Sequence, residues 1–102
     1  MASGTVDFGY LEGFAAGDLK VVREVLEMFA QQAELWEPAL AADGTGWGDV
    51  VHTVKGAARG VGANALGDVC AKCEAAGEGA LPAVRAALAA AVADILGYLA
   101  QG

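Results

Sequence analysis

The run DLKVVREVLEMFAQQAELWEPALAAD, residues 18–43, decides the fold class of this chain. Its apolar residues recur in steps of three and four, the spacing that places side chains on one face of a helix. These residues are Leu19, Val22, Leu26, Phe29, Ala33, Trp36 and Leu40. One apolar face on so long a helix predicts packing against other helices, and Pro38 is expected to kink this helix late or to fray its last turn.

Two shorter segments downstream repeat this spacing. A break is expected at residues 43–46, and the helix after it has the apolar series Trp47, Val50, Val54, Ala57 and Val61, with Gly60 and Gly62 suited to its C-terminal end. A further helix is expected from about Ala63 to Ala76, with Asn64 as a candidate N-terminal cap. Its inward residues are Leu66, Val69, Cys70 and Cys73. Connections of about four to six residues favour antiparallel neighbours.

The last segment, Leu81 to Ala100, is apolar enough to raise the question of a membrane span. Arg85 and Asp94 interrupt it, and its larger apolar residues recur at helical spacing, which favours a packed bundle helix. This series is Leu81, Val84, Leu88, Val92, Ile95 and Leu99. With a short helix expected around Phe8 to Ala15, the sequence predicts an all-α, antiparallel up-and-down four-helix bundle that forms one domain over residues 1–102.

Composition limits the classes of partner. The 102 residues are 56% hydrophobic and 19% charged, which is a folding composition. A net charge of -7 with only six Lys and Arg argues against nucleic acids and disfavours anionic membrane surfaces. The N-terminus shows no basic region followed by an apolar stretch, so a cytoplasmic location is expected. Met1 and the closed set of helices predict a freestanding domain, and we expect a monomer because no apolar stripe is left over.

The two cysteines, Cys70 and Cys73, are interpreted as small buried hydrophobes on one helix face. A zinc site needs further ligands, yet His52 is the only histidine and there is no second cysteine pair. A redox pair is typical of a helix that starts after a strand, and no strand is evident. An enzyme acting through these thiols stays a distant alternative that needs an accessible thiolate.

The candidate chemistry lies around His52. On a helical wheel His52 falls nearly opposite the apolar series of its helix, so it is expected to face solvent. Lys55, Gly56 and Arg59 follow at three, four and seven positions and share this face. In so acidic a chain they form a positive patch that can attract a phosphoryl group. An exposed glycine within a helix costs about 1 kcal/mol relative to alanine, and at Gly56 it leaves open the space beside the imidazole.

The run HTVKGAARGVGA, His52 to Ala63, resembles the motif of histidine-containing phosphotransfer (HPt) domains. In that motif the histidine is followed by a hydrophobic residue, Lys-Gly, two small residues and later Gly-Ala. The helix order and the Phe29 region also match, and a further series resembles the continuation of the motif: Leu66, Cys70 and Glu74. The chain departs from the pattern at Val54, at Cys73 and at Arg59, which adds a charge where many relatives are neutral.

The resemblance implies a role for each residue of the motif. His52 would accept the phosphoryl group on Nε2, with Lys55 as its electrostatic partner, Gly56 giving access to the ring and Arg59 in support. Glu74 matches a polar position that faces the histidine in relatives, where a carboxylate could accept a hydrogen bond from Nδ1 and fix the tautomer.

The resemblance also implies partners. The phosphoryl group would come from a histidine kinase, including hybrid kinases, or from a receiver aspartate, and would pass to a response-regulator receiver. The chain shows no nucleotide-binding loop and no metal ligand set, so we expect no autonomous kinase activity, no cofactor of its own, and Mg²⁺ supplied on the receiver. Docking is expected around His52, with Val51, Ala58 and Ala63 permitting close approach. The alternative is a helical adaptor that binds receivers without accepting phosphate.

Overall fold

The computed structural model describes residues 6–41 and 46–101, except the side chain of Ala41. Most of the break expected at residues 43–46 lies outside them. The described residues form five α-helices and one 3-10 turn at Glu78–Ala80. The helices are α1 (Phe8–Phe14), α2 (Leu19–Ala41), α3 (Trp47–Val61), α4 (Asn64–Ala76) and α5 (Leu81–Ala100). Pro38 lies in the last turn of α2, which ends three residues later.

The four long helices form a bundle in which each packs against the helices before and after it in the ring α2, α3, α4, α5. The helices α2 and α5 are antiparallel, because the beginning of α2 meets the end of α5, where Arg23 donates to the carbonyl of Leu99 at 2.9 Å. The short helix α1 packs on one end, against α2 and α3. The predicted four-helix bundle with a short extra N-terminal helix is confirmed.

The core lies along the bundle axis and confirms most of the apolar series. Leu26, Leu40, Leu66, Leu88 and Ile95 are its largest fully buried side chains, from α2, α4 and α5. The prediction for the start of α2 is wrong, because the side chain of Leu19 is 55% exposed. Leu19 is the first residue of its helix and lies at the edge of a groove shared with Glu12 and Tyr98, which cover only part of it.

The buried face of α3 differs from the prediction by a small rotation. Val51 and Ala58 are completely buried, whereas Val50 and Ala57 are only partly covered. The reason is that α3 packs most extensively against α4, which draws the buried face towards that neighbour. The exposed face carrying His52 consequently lies beside α4 and does not point directly away from the core.

A tight connection of two residues, Gly62 and Ala63, joins α3 to α4, shorter than the predicted connections. The helix ends expected at Gly60 to Gly62 and at about Ala63 agree with this connection, and only the general expectation of four to six residues is too long here. Gly62 has a φ of 86°, and a Cβ there would lie 2.6 Å from the carbonyl oxygen of Asp7, so this position requires glycine. The prediction of Asn64 as the N-cap is wrong. Asn64 is already helical and the capping position is Ala63, because the left-handed Gly62 ends α3 and reverses the chain within two residues.

The last helix, α5, could be a membrane span or a bundle helix by its sequence. The segment from the 3-10 turn to the end of α5, residues 78–100, is long and apolar enough to span a membrane by length and composition. In the bundle, one side of α5 is part of the core through Val84, Leu88 and Ile95. Its contacts with α2 and α4 are those of a bundle helix, as the sequence predicts.

Candidate functional site

His52 projects from the middle of α3 into solvent. Its side chain is 73% exposed, so the predicted exposure is confirmed. The exposed face follows from the spacing of α3, whose buried residues lie on the other side of the helix. An imidazole so placed is accessible to a second protein.

A carboxylate from the neighbouring helix holds one side of this ring. Glu74 of α4 lies with Oε2 3.0 Å from Nδ1 of His52, and its other oxygen accepts a hydrogen bond from Nζ of Lys55. The hydrogen bond from Lys55, and next the one from His52, lowers the pKa of Glu74, so this carboxylate is ionised at neutral pH. An ionised carboxylate only accepts hydrogen bonds, so Nδ1 carries the proton and the exposed Nε2 of a neutral ring carries the lone pair.

Lys55 differs from the sequence expectation. Its side chain is only 21% exposed, and its ammonium group is paired with Glu74. The pairing with Glu74 therefore partly neutralises the positive patch expected on this face. Lysine has three donor hydrogens, so pairing with one carboxylate oxygen leaves donors for a further anion.

Gly56 lies one turn beyond His52 on the same face. A Cβ at this position would meet no atom within 4 Å outside the backbone of its own helix. Packing inside the chain therefore does not require glycine here. The open space is what the sequence predicts beside the ring.

Arg59 lies further along the same face, with a half-exposed side chain. Its guanidinium is 4.0 Å from Asp68 of α4, at the limit of an ion pair. The aliphatic part of Arg59 crosses Gly67, since a Cβ at position 67 would lie 3.0 Å from Cγ of Arg59. Neither the helical periodicity nor the family motif singles out Gly67. The available signal was the equal spacing of seven residues from His52 to Arg59 and from Gly67 to Glu74.

The other flank of α3 is apolar. A groove between α2 and α3 is lined by Val25, Met28, Phe29, Gln32, Trp36, Ala57, Gly60 and Val61. Met28 is 65% exposed at its edge. The expectation that Val51, Ala58 and Ala63 allow close approach is wrong, because all three are completely buried. The same rotation of α3 that buries Val51 and Ala58 leaves Ala57 and Gly60 at the groove.

The two cysteines are part of the core. Cys70 and Cys73 are free, fully buried thiols, and burial is the main cause that raises the pKa of Cys70 to about 11 and raises that of Cys73 as well. Neither is a thiolate at neutral pH, which argues against the reading of an enzyme acting through these thiols. Within residues 6–41 and 46–101, no group of three or more His, Cys, Asp and Glu could hold a metal ion.

Comparisons with known proteins agree with this geometry. The Hpt domain family matches residues 19–102 of the chain. The crystal structure of the histidine phosphotransferase ShpA from Caulobacter crescentus matches with a TM-score of 0.87 and 60% sequence identity, covering 96% of this chain and 93% of that chain. The search of curated proteins gave no match. Since the family match spans most of the chain and includes His52, Lys55, Gly56 and Glu74, the chain belongs to the family of Hpt domains, the histidine phosphotransfer proteins of phosphorelays.

Proposed function

We propose that this histidine phosphotransfer protein carries the phosphoryl group on Nε2 of His52. The observation that supports this assignment best is the contact of Nδ1 with Glu74, combined with the exposure of the ring. The contact with Glu74 leaves the lone pair on Nε2, and the exposure of the ring lets a partner reach that nitrogen. His52 is also the only histidine in the chain.

In the transfer step from a receiver, His52 is the nucleophile that this chain supplies. The lone pair of Nε2 attacks the phosphorus of an aspartyl phosphate, the N–P bond forms, and the P–O bond to the aspartate breaks. The aspartate leaves as a carboxylate with the bonding electron pair. The imidazole ring, still protonated on Nδ1, gains positive charge, which the carboxylate of Glu74 stabilises at 3.0 Å. Return transfer to a receiver reverses these steps.

Lys55 and Gly56 assist from the same face. The ammonium group of Lys55 and Nδ1 of His52 contact the same carboxylate, that of Glu74, and the remaining donors of Lys55 can turn towards the phosphoryl oxygens. Gly56 leaves room for the edge of the partner's active site beside the ring. Both effects act on the transfer step, where the phosphoryl group is positioned between two proteins.

Hpt proteins in phosphorelays interact with histidine kinases and receiver domains. For this chain we infer docking of a receiver over His52 and the apolar groove between α2 and α3, where Met28 offers an exposed anchor. The Mg²⁺ that phosphoryl transfer requires would come with the receiver. We further expect a monomeric, cytoplasmic phosphocarrier that takes no label from ATP alone.

The test is radiolabel transfer from a phosphorylated receiver to the wild type and to His52→Gln. We expect acid-labile, alkali-stable label in the wild type and none in His52→Gln. Arg85→Ala, on the exposed side of α5, is the matched control and should accept label like the wild type. Equal label in His52→Gln would overturn the assignment of His52.

The alternative function, a helical adaptor without phosphotransfer, predicts a different result. It would bind receivers and accept no label from any receiver or kinase in a panel, although circular dichroism shows it folded. If His52→Gln still binds receivers and the wild type accepts no label, the result would favour the adaptor. Label that depends on His52 would exclude it.

A further inference from the structure

We propose that Arg59, held in place by Gly67, selects among receivers by pairing with an acidic side chain on the docked partner. The inference rests on the proposed function, because it assumes that a receiver docks over His52. It assigns to Arg59 a role in recognition and none in the transfer chemistry. Gly67 is the residue that positions it.

The seam between α3 and α4 carries this arrangement. Along this seam His52 of α3 faces Glu74 of α4, and Arg59 of α3 faces Gly67 of α4. The helices are antiparallel, and the second pair lies seven residues from the first on each of them, so the pairs form two levels of the seam. Seven residues of α-helix place the two levels about 10 Å apart, given a rise of 1.5 Å per residue. A receiver that covers about 800 Å² around His52 extends over this distance, so Arg59 falls within its footprint.

The missing side chain at position 67 gives Arg59 its direction. The three atoms nearest to a Cβ at this position all belong to Arg59: Cγ at 3.0 Å, Nε at 3.2 Å and Cδ at 3.6 Å. Gly67 itself is buried, and the side chain of Arg59 lies against it. The side chain is thus packed along the seam before a partner arrives, which reduces the entropy lost when it pairs.

The guanidinium charge of Arg59 remains available for pairing with a carboxylate of a partner. Its ion-pair partner within the described residues is Asp68, at 4.0 Å, and that carboxylate is 72% exposed. The side chain of Arg59 is itself 51% exposed. Lys55, by contrast, is engaged with Glu74. On a protein of net charge -7, an exposed cation about 10 Å from His52 favours a partner that presents a carboxylate at this point.

The experiment measures transfer from a panel of phosphorylated receivers to the wild type, Arg59→Ala, Arg59→Lys and the control Arg85→Ala. For the receivers that the wild type prefers, we expect Arg59→Ala to raise the KM about fivefold, as expected for loss of an exposed ion pair, with kcat unchanged. Arg59→Lys should recover part of the loss. The dependence of kcat/KM on salt should become weaker in Arg59→Ala only.

Gly67→Ala provides a second test that keeps every charge. Its Cβ would lie 3.0 Å from Cγ of Arg59, so the arginine side chain must shift by a few tenths of an ångström. We expect a two- to threefold rise in KM for the preferred receivers in the wild-type background and no further rise in Arg59→Ala. Thermal unfolding shows whether each variant is folded. Equal KM values for wild type and Arg59→Ala across the panel would overturn the inference while leaving His52 as the acceptor. Absence of label in the wild type would instead overturn the proposed function itself.

Discussion

The two most extensive helix contacts of this bundle, α3 with α4 and α2 with α5, have the same antiparallel packing and different surfaces. The seam between α3 and α4 carries the ion pairs of Glu74 with Lys55 and with His52, the proposed phosphoryl acceptor. The groove between α2 and α5 is lined mainly by alanine and larger aliphatic residues, with Glu34 and Glu37 beside it. Both seams cover the same core. The core residues therefore determine the bundle, and the outer residues of one seam determine the chemistry.

The largest difference between the two surfaces is expected in the transfer rate when an exposed glycine of each is replaced. Gly56 on α3 and Gly97 on α5 both have open space around a Cβ. We expect Gly56→Gln to slow transfer about a hundredfold, because displacing the partner by about 1 Å costs that much at a reacting centre. Gly97→Gln should leave the transfer rate unchanged. Rapid-quench measurement of label transfer from one receiver compares the two.

The free energy of unfolding shows whether slow transfer in Gly56→Gln comes from a blocked docking surface or from a damaged fold. Each glutamine replaces a helical glycine, so both variants should be more stable than the wild type, by about 0.5 kcal/mol. Urea unfolding followed by circular dichroism measures this. A Gly56→Gln protein that transfers at the wild-type rate would contradict the role of open space beside His52.

A smaller effect is expected from the carboxylate that holds the ring. Glu74→Gln removes the charge and weakens the fixing of the tautomer, and we expect transfer to slow about tenfold, the lower end of the effects of groups that orient an imidazole. Glu37→Gln, beside the groove between α2 and α5, is the matched control and should have no effect. The measurement is the single-turnover rate of transfer at saturating receiver. A rise in KM without a change in this rate would indicate that Glu74 acts in docking instead.

The smallest effect concerns stability at low pH. The pKa of Glu74 lies below its ordinary value of 4.5, because Lys55 and His52 donate hydrogen bonds to it. Its contribution to stability is therefore fully present above pH 4.5 and is lost as the pH falls through the lowered pKa. Urea unfolding between pH 7 and pH 2 should show the wild type more stable than Glu74→Gln at the upper end and the two converging at the lower. A difference that persists at pH 2 would contradict this account.

Local periodicity was sufficient to predict the helices and the exposed face of α3. His52, Lys55 and Gly56 lie on one side of that helix because 3.6 residues make a turn, and no other helix is needed to deduce it. The family motif then indicated Glu74. These predictions depend on residues close in sequence or on a pattern shared with relatives.

The remaining features depend on how two helices pack. The rotation of α3 that buries Val51 and Ala58 follows from its extensive contact with α4, which a helical wheel does not contain. The pairing of Lys55 with Glu74 and the cover of Gly67 by Arg59 require the register of α4 against α3. That register is set by the two-residue connection of Gly62 and Ala63. The sequence predicts the helix ends close to these two residues, but it places the cap at Asn64, whereas the capping residue is Ala63.

The central claim is that His52 accepts the phosphoryl group on Nε2 while Nδ1 keeps its proton against Glu74. Long-range proton–nitrogen correlation NMR of the imidazole, recorded before and after phosphorylation by a receiver, tests it most directly. The account predicts a ring protonated on Nδ1 in the free protein, and phosphorus coupling to Nε2 with the proton retained on Nδ1 afterwards. Phosphorus coupling to Nδ1, or an unchanged imidazole in a protein that has taken up label, would contradict it.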